Sequence, residues 1–198
     1  MWRAARTLRP ARVRGKPLPR LLFFTDPVRT PDPAAVLARL PPGAGVVYRA
    51  FGAADAAETG RRLLRLARRK RLTLLVGADA SLAAAIGADG VHLPERLAWR
   101  ARTLRRARPG WLVTSAAHSR SAIVKGRRSG ADAAVVSPVF PSASPSASRP
   151  IGALRFAQLV RDARLPVYAL GGVNAATARA LTRSGAAGLA AVEALATE

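Results

Sequence analysis

The chain of 198 residues contains no cysteine, no long apolar run and few acidic side chains. Without cysteine there is no disulfide, no thiolate nucleophile and no thiolate metal site, which is typical of a protein of the reducing interior. No stretch approaches eighteen uninterrupted apolar residues, so we expect no membrane-spanning helix. We therefore expect a cytoplasmic protein, whose length suits a single closed core.

The scarcity of acidic residues leaves a large positive charge. There are 33 Lys and Arg against 11 Asp and Glu, a formal net charge of +22, which would suit a nucleic-acid partner. The arginines lie in segments of helical period, however, and no aromatic-interleaved basic surface or nucleic-acid motif accompanies them. We interpret them as exposed outer helix faces and do not expect nucleic-acid binding.

The first 20 residues carry seven basic residues and no acidic one. They lack the apolar core of a secretory signal. We predict a flexible basic arm over residues 1–20, followed by one domain over residues 21–198.

From Leu21 onwards, short apolar runs alternate with Ala-, Leu- and Arg-rich segments of helical period. The predicted strands begin near Leu21, Gly45, Leu72, Gly90, Leu112, Ala133, Val167 and Gly188. The predicted helices span 53–70, 79–87, 95–108, 119–129, 152–163 and 174–184. This alternation indicates an α/β protein with a parallel sheet, and eight strands favour a small (β/α)₈ TIM barrel. An open doubly wound sheet is the alternative, but no Gly-rich phosphate fingerprint follows the first strand.

In such a barrel, the residues that follow the strands form the pocket. The longest interval between strands contains a Ser- and Pro-rich loop, from Pro141 to Gly152, and long loops at this position carry function. Arg49 either clamps an anion or pairs with a neighbouring carboxylate. Asp79 either caps the next helix or binds magnesium. His92 either polarises a substrate or is a hydrogen-bonded histidine of the barrel core.

A pair of glycines, Gly171 and Gly172, follows the seventh predicted strand. It either lets backbone N–H groups approach a phosphate or makes an ordinary tight turn.

Five segments resemble the thiamine phosphate synthase family and its TenI-like thiazole tautomerase relatives. They are ADGVHLPE, TSAAHS, SPVFPSASPSASRPIG, VYALGGV and GAAGLAAVEAL, and the resemblance extends from Leu21 to Leu195. It implies a (β/α)₈ barrel and a transferase of thiamine biosynthesis that uses Mg²⁺. The implied reaction joins hydroxymethylpyrimidine diphosphate to thiazole phosphate and releases pyrophosphate. A homo-oligomer is possible.

The resemblance also implies roles for individual residues. Arg49 and Ser115 correspond to pyrophosphate-binding, catalytic positions, and Asp79 to a magnesium ligand, with Glu95 as a substitute for the second one. The substrate- and phosphate-binding positions are Arg49, Ser142, Ser144, Gly171 and Gly172.

Other positions depart from the family pattern. Phe51 and Pro145 stand where the family has lysines, and Glu193 stands where a serine contacts phosphate. The alternatives are therefore a TenI-like tautomerase, with His118 or Glu95 as acid–base group, or a non-catalytic barrel that binds a ligand or regulates. The tautomerase histidine position reads Pro138.

Overall fold

The computed structural model describes residues 1–142 and 149–196. In chain order, the helices and strands are α1 (Trp2–Thr7), β1 (Arg12–Val13), β2 (Lys16–Pro17), β3 (Leu21–Phe24), α2 (Pro33–Arg39), β4 (Gly45–Tyr48), α3 (Ala56–Arg69), β5 (Thr73–Gly77), α4 (Ala80–Ile86), β6 (Gly90–Leu93), α5 (Ala101–Ala107), β7 (Leu112–Ala117), α6 (Arg120–Arg128), β8 (Ala133–Val136), α7 (Gly152–Asp162), β9 (Val167–Ala169) and β10 (Gly188–Ala191). Short 3₁₀ helices span Glu95–Arg100, Thr177–Leu181 and Glu193–Leu195. None of the helices in the described ranges has the length and apolar character needed to cross a bilayer.

Strands β3 to β10 close into a barrel in the order β10-β3-β4-β5-β6-β7-β8-β9, and every neighbouring pair is parallel. The predicted (β/α)₈ barrel is confirmed, and each strand starts within one residue of its predicted position. The strands are short and almost entirely buried, because helices cover their outer face while side chains fill the interior. In β3, Leu21 and Phe23 pack outwards, whereas Leu22 and Phe24 pack inside the barrel.

The helices place their apolar faces on the barrel and their arginines in solvent. Helix α3 buries Gly60, Leu63, Leu64 and Ala67, while the arginines at 61, 62, 65, 68 and 69 are exposed. This 3.6-residue period explains how so basic a chain keeps its charge outside the core. The interpretation of the arginine-rich segments as outer helix faces is confirmed for this helix.

One predicted helix is mostly absent. The sequence predicts a helix over 174–184, but only the 3₁₀ helix Thr177–Leu181 forms. The Asn174 side chain accepts hydrogen bonds from the Ala176 and Thr177 N–H groups, and the Thr177 hydroxyl donates to the Gly172 carbonyl. These local bonds hold a turn in place of the first helical turns.

Residues 1–20 pack against the barrel instead of forming the flexible arm that the sequence predicts. Ala5 and Leu8, at α1, are buried, and β1 pairs with β2 in an antiparallel hairpin. Leu18, just after the hairpin, packs against the side chains inside the barrel. The basic composition of residues 1–20 suggested an exposed segment, but the apolar residues between its arginines pack against the barrel.

Arg14 fixes this hairpin to the amino-terminal end of the barrel. Its guanidinium donates to the carbonyls of Pro109 and Trp111, both at 2.6 Å, and to the Asp132 carboxylate at 2.8 Å. The Asp132 side chain is almost completely buried and also accepts the Val113 N–H at 2.9 Å. A buried carboxylate needs such partners, because water cannot reach it.

Replacing Arg14 with alanine is expected to lower the free energy of unfolding by about 1–3 kcal/mol, because Asp132 loses a charged partner while the Arg14 side chain itself is partly exposed. Urea denaturation followed by circular dichroism measures the change. Arg9→Ala is the matched control, since Arg9 is an exposed arginine of the same segment. Equal stabilities of the two variants would contradict the anchoring role of Arg14.

Candidate active site

Two adjoining cavities open at the carboxyl ends of the barrel strands, where a barrel of this type holds its site. The first has a volume of about 450 Å³ and is lined largely by apolar and aromatic side chains. The second, of about 230 Å³, lies beside the turns that follow β9 and β10. Leu170 lines both cavities.

Arg49 lines the first cavity and is held on several sides. Its Nε donates to the Thr25 carbonyl at 2.6 Å, and one terminal nitrogen donates to the Asp26 carboxylate at 3.1 Å. Its guanidinium also lies 5.1 Å from the centre of the Phe51 ring, within cation–π range. The sequence analysis left open whether Arg49 binds an anion or pairs with a carboxylate. In the structure, Arg49 pairs with a carboxylate and also lines the cavity.

Asp26, the carboxylate partner of Arg49, also binds Arg29. The sequence analysis did not identify Arg29 as a residue of the site. The Asp26 carboxylate accepts the N–H groups of Val28 and Arg29 and a side-chain bond from Arg29 at 2.9 Å. Burial alone would raise the pKa of Asp26, but the hydrogen bonds and charge of Arg29 lower it to about 2. The sequence did contain a signal for Arg29, which follows Asp26 by three residues in the loop after β3. An arginine this close to a carboxylate at the barrel mouth affects the electrostatics of the site.

His92 lines the first cavity from inside the barrel. Its Nδ1 lies 2.9 Å from the Thr114 hydroxyl, and its ring meets the Phe24 ring edge to face, with centroids 5.0 Å apart. Burial, and to a smaller extent the charge of Arg49, lower the pKa of His92 to about 3. His92 is therefore a hydrogen-bonded core histidine that is neutral at physiological pH.

The predicted metal pair, Asp79 and Glu95, is not brought together as one donor set. Asp79 lines the first cavity and caps α4 through the Leu82 N–H, at 2.8 Å. Glu95 does not line that cavity, and its carboxylate accepts the His118 N–H at 2.9 Å. Over the described ranges, no three His, Asp or Glu side chains form a metal-binding group.

Ser115 does not face the mouth. It is fully buried, and its Oγ points towards Gly126 of α6, where it has no hydrogen-bond partner among the described residues. Its neighbour Ala116 lines the first cavity instead. Because side chains alternate along a strand, a shift of one residue moves a side chain to the opposite face. The β7 residue that lines the first cavity is therefore Ala116.

Gly171 and Gly172 line the second cavity, and both adopt positive φ angles. A Cβ on Gly172 would lie 2.3 Å from the Pro141 carbonyl oxygen, so only glycine fits beneath the loop that follows β8. Within residues 1–142 and 149–196, the amide N–H groups of Gly172 and Val173 have no hydrogen-bond acceptor. The glycine pair therefore makes a tight turn beside the second cavity, and the approach of its amides to a phosphate stays a prediction.

The remaining predicted positions are divided between the cavities and the undescribed segment. Ser142 lines the second cavity, as does Glu193, whose carboxylate lies 3.7 Å from the Arg29 Nε. Phe51 lines the first cavity with an exposed ring. Ser144 and Pro145 lie outside the described residues.

The buried hydroxyls of β7 allow a test of the strand's orientation. Ser115→Ala is expected to leave the free energy of unfolding unchanged or to raise it by up to about 1 kcal/mol, because the lost hydroxyl has no partner in the described structure. Thr114→Val removes a hydroxyl that bonds His92, and it is expected to lower stability by about 1 kcal/mol. Chemical denaturation of both variants checks this, and a larger loss for Ser115→Ala would refute the orientation.

His92 is expected to make stability fall in acid. Its pKa is about 6.5 unfolded and about 3 folded, so the unfolded state binds the proton more readily, and the free energy of unfolding drops as the pH falls from 6.5 towards 3. His92→Asn keeps a polar group near Thr114 without that titration. Urea denaturation at pH 7, 5 and 4 should show a flatter pH dependence for the variant, and identical slopes would contradict the assignment.

Comparison with known proteins agrees with the fold. A family model described as thiamine monophosphate synthase matches residues 21–195. The putative thiamine-phosphate synthase 2 of Aquifex aeolicus is 32% identical over 127 residues, covering 64% of this chain and 68% of the relative. The putative thiamine-phosphate synthase of Geobacter sulfurreducens is 33% identical over 139 residues, covering 70% of this chain and 65% of the relative.

The match thus spans about two thirds of each of these relatives. The solved thiamine phosphate pyrophosphorylase from Pyrococcus furiosus superposes with a TM-score of 0.74 at 24% identity, over 88% of this chain and 85% of that one, which supports the shared fold. Since the family model covers nearly the whole barrel, the chain belongs to the thiamine monophosphate synthase family.

Proposed function

We propose that this chain couples hydroxymethylpyrimidine diphosphate to thiazole phosphate and releases pyrophosphate. The thiazole nitrogen forms a bond to the pyrimidine methylene carbon, while the carbon–oxygen bond to the diphosphate breaks and its electron pair leaves with pyrophosphate. The observation that carries the proposal is the pair of adjoining cavities, one lined largely by apolar and aromatic side chains and one that includes the turn Gly172–Val173, which meet at Leu170. A reaction of two substrates needs two such sites in contact.

The first cavity suits the pyrimidine ring. Phe24, Phe51 and His92 offer aromatic surfaces on which a planar heterocycle can stack. Because His92 is neutral, it adds no positive charge next to the carbon that becomes cationic as pyrophosphate leaves. The same neutral ring leaves the role of stabilising the departing anion to Arg49.

Arg49 is the group proposed to stabilise the leaving pyrophosphate. It is fixed by Thr25 and Asp26 before any ligand arrives, and a preoriented charge is more effective than one that must reorganise during the reaction. Asp26 takes part of its charge, so the bond to pyrophosphate should be weaker than that of an unpaired guanidinium. Asp26 is in this proposal a positioning residue.

The second cavity suits the thiazole phosphate. Gly172 and Val173, whose amides have no acceptor among the described residues, line it together with Ser142 and Arg29. Backbone N–H groups at a turn bind phosphate oxygens without lysine. These amides therefore offset part of the phosphate binding that is lost because the loop has Pro145 where the family has a lysine.

Magnesium fits this site only in part. Each of Asp79 and Glu95 accepts one backbone N–H, but only Asp79 lines the first cavity, where its carboxylate could hold Mg²⁺. A magnesium ion bound by one carboxylate, water and the diphosphate is common in such sites, and it would neutralise charge on the leaving group. Asp79 is the single metal ligand that we propose.

The charged phosphates of both substrates would keep the proposed reaction in an aqueous compartment, and the cytoplasm is the setting that we propose. A non-catalytic ligand-binding barrel is the second candidate. Its one basis is Phe51, a cavity residue with 66% exposure at a position where the resemblance implies a lysine, whereas the family match supports the synthase.

The test is a turnover assay with hydroxymethylpyrimidine diphosphate, thiazole phosphate and Mg²⁺, in which thiamine phosphate and pyrophosphate are both measured. Arg49→Gln is expected to lower kcat/KM on the order of 100-fold, as removal of one preoriented donor does. Arg62→Gln is the matched control, because Arg62 is exposed on α3 and the charge change is the same.

Equal formation of both products by the wild type, lost in Arg49→Gln and kept in Arg62→Gln, would support the synthase proposal. No product from folded protein would overturn it. Calorimetric titration with each substrate would then test the second candidate, which requires that at least one of them binds.

A further inference from the structure

The second cavity contains a carboxylate among hydrogen-bond donors. Glu193, from the 3₁₀ helix that follows β10, lines it, and its side chain is 53% exposed. An ionised carboxylate only accepts hydrogen bonds, so it repels an oxygen that carries charge and no proton. A cavity that binds phosphate ordinarily presents hydrogen-bond donors alone, so the presence of the Glu193 carboxylate needs a chemical explanation.

The cavity lining also contains hydrogen-bond donors. Arg29 has a guanidinium, Gly172 and Val173 have backbone amides, Asn174 has a side-chain amide, and Ser142 has a hydroxyl that can donate or accept. Asn174 uses its oxygen for the turn, where it accepts the Ala176 and Thr177 N–H groups. Its amide nitrogen has no acceptor in the part of the chain that the structure describes. The cavity thus offers several donors for an anion and one strong acceptor.

The charge of Glu193 is balanced within a larger network. Its carboxylate lies 3.7 Å from Arg29, which binds Asp26, and Asp26 in turn binds Arg49. Two carboxylates and two guanidiniums thus alternate between the cavities. Glu193 therefore does not make the mouth acidic, and an anion can still enter. What it does is discriminate between anion oxygens that carry a proton and those that do not.

We propose that Glu193 makes the second cavity selective for a phosphate monoester that keeps one proton. The donors bind the charged oxygens, and Glu193 accepts a hydrogen bond from the protonated one. This specificity deepens the proposed function, since it defines the form in which thiazole phosphate binds. It also predicts that the cavity rejects tetrahedral anions without a proton.

Sulfate and inorganic phosphate are the probes that separate these cases. At pH 6 phosphate keeps a proton, whereas sulfate has none to donate. Titration of ¹⁵N-labelled protein with each anion, followed at the Gly172 and Val173 amide resonances, reports binding at this cavity and needs no turnover. We expect the wild type to bind phosphate at least about tenfold more tightly than sulfate, a difference near 1.4 kcal/mol.

Glu193→Gln is the test variant, because glutamine keeps the shape and can donate a hydrogen bond to sulfate. We expect its phosphate-to-sulfate preference to fall close to one. Glu58→Gln is the matched control: Glu58 is an exposed residue of α3 that lines neither cavity, and the change in net charge is identical. The control is expected to keep the wild-type preference.

A wild type that binds sulfate as tightly as phosphate, or that binds neither, would overturn the proposal. An unchanged preference in Glu193→Gln would also overturn it. If the wild type bound neither anion and Glu193→Gln bound both, Glu193 would be a residue that excludes anions, and the proposal would again be wrong. Because the readout is anion binding, a failed turnover assay would leave this result standing on its own.

Discussion

The carboxylate of Asp26 is the constraint on which the barrel mouth depends. Two guanidiniums converge on it, Arg29 from its own loop and Arg49 from the next strand, within 2.9 and 3.1 Å. Without this carboxylate, the two positive groups would repel each other across a partly dry mouth. With it, one cation stands at each cavity in a fixed position, and the loops after β3 and β4 are tied together.

The aromatic character of the first cavity follows from the same arrangement. Phe24 and Phe51 both lie within 6 Å of the Arg49 guanidinium. An aromatic ring attracts the Arg49 cation, whereas a second cation in the same place would repel it. A cation–π contact contributes about 0.5–2 kcal/mol, and a charge-assisted hydrogen bond about 1.5–3 kcal/mol. We therefore expect the cavity to bind rings better, and anions less well, than a mouth with two free cations would.

The barrel was predictable because its strands are short apolar runs of regular spacing, separated by segments of helical period. The orientation of β7 was not, because Thr114, Ser115, Ala116 and Ala117 are all small and show no alternation of polarity. The resemblance implies a pyrophosphate contact for Ser115, whereas its side chain points towards α6 and its neighbour Ala116 lines the first cavity. Arg29 was missed for another reason: it lies in a loop, where no period shows which residue points into the site.

The docked hairpin of β1 and β2 also affects the order of assembly. Arg14 is bonded to Trp111 and Asp132, which lie 97 and 118 residues further along the chain. During synthesis, this hairpin can reach its final position only after Asp132, which directly precedes β8, has been made. The hairpin segment is therefore completed late, and its apolar residues lack their final packing partners until then.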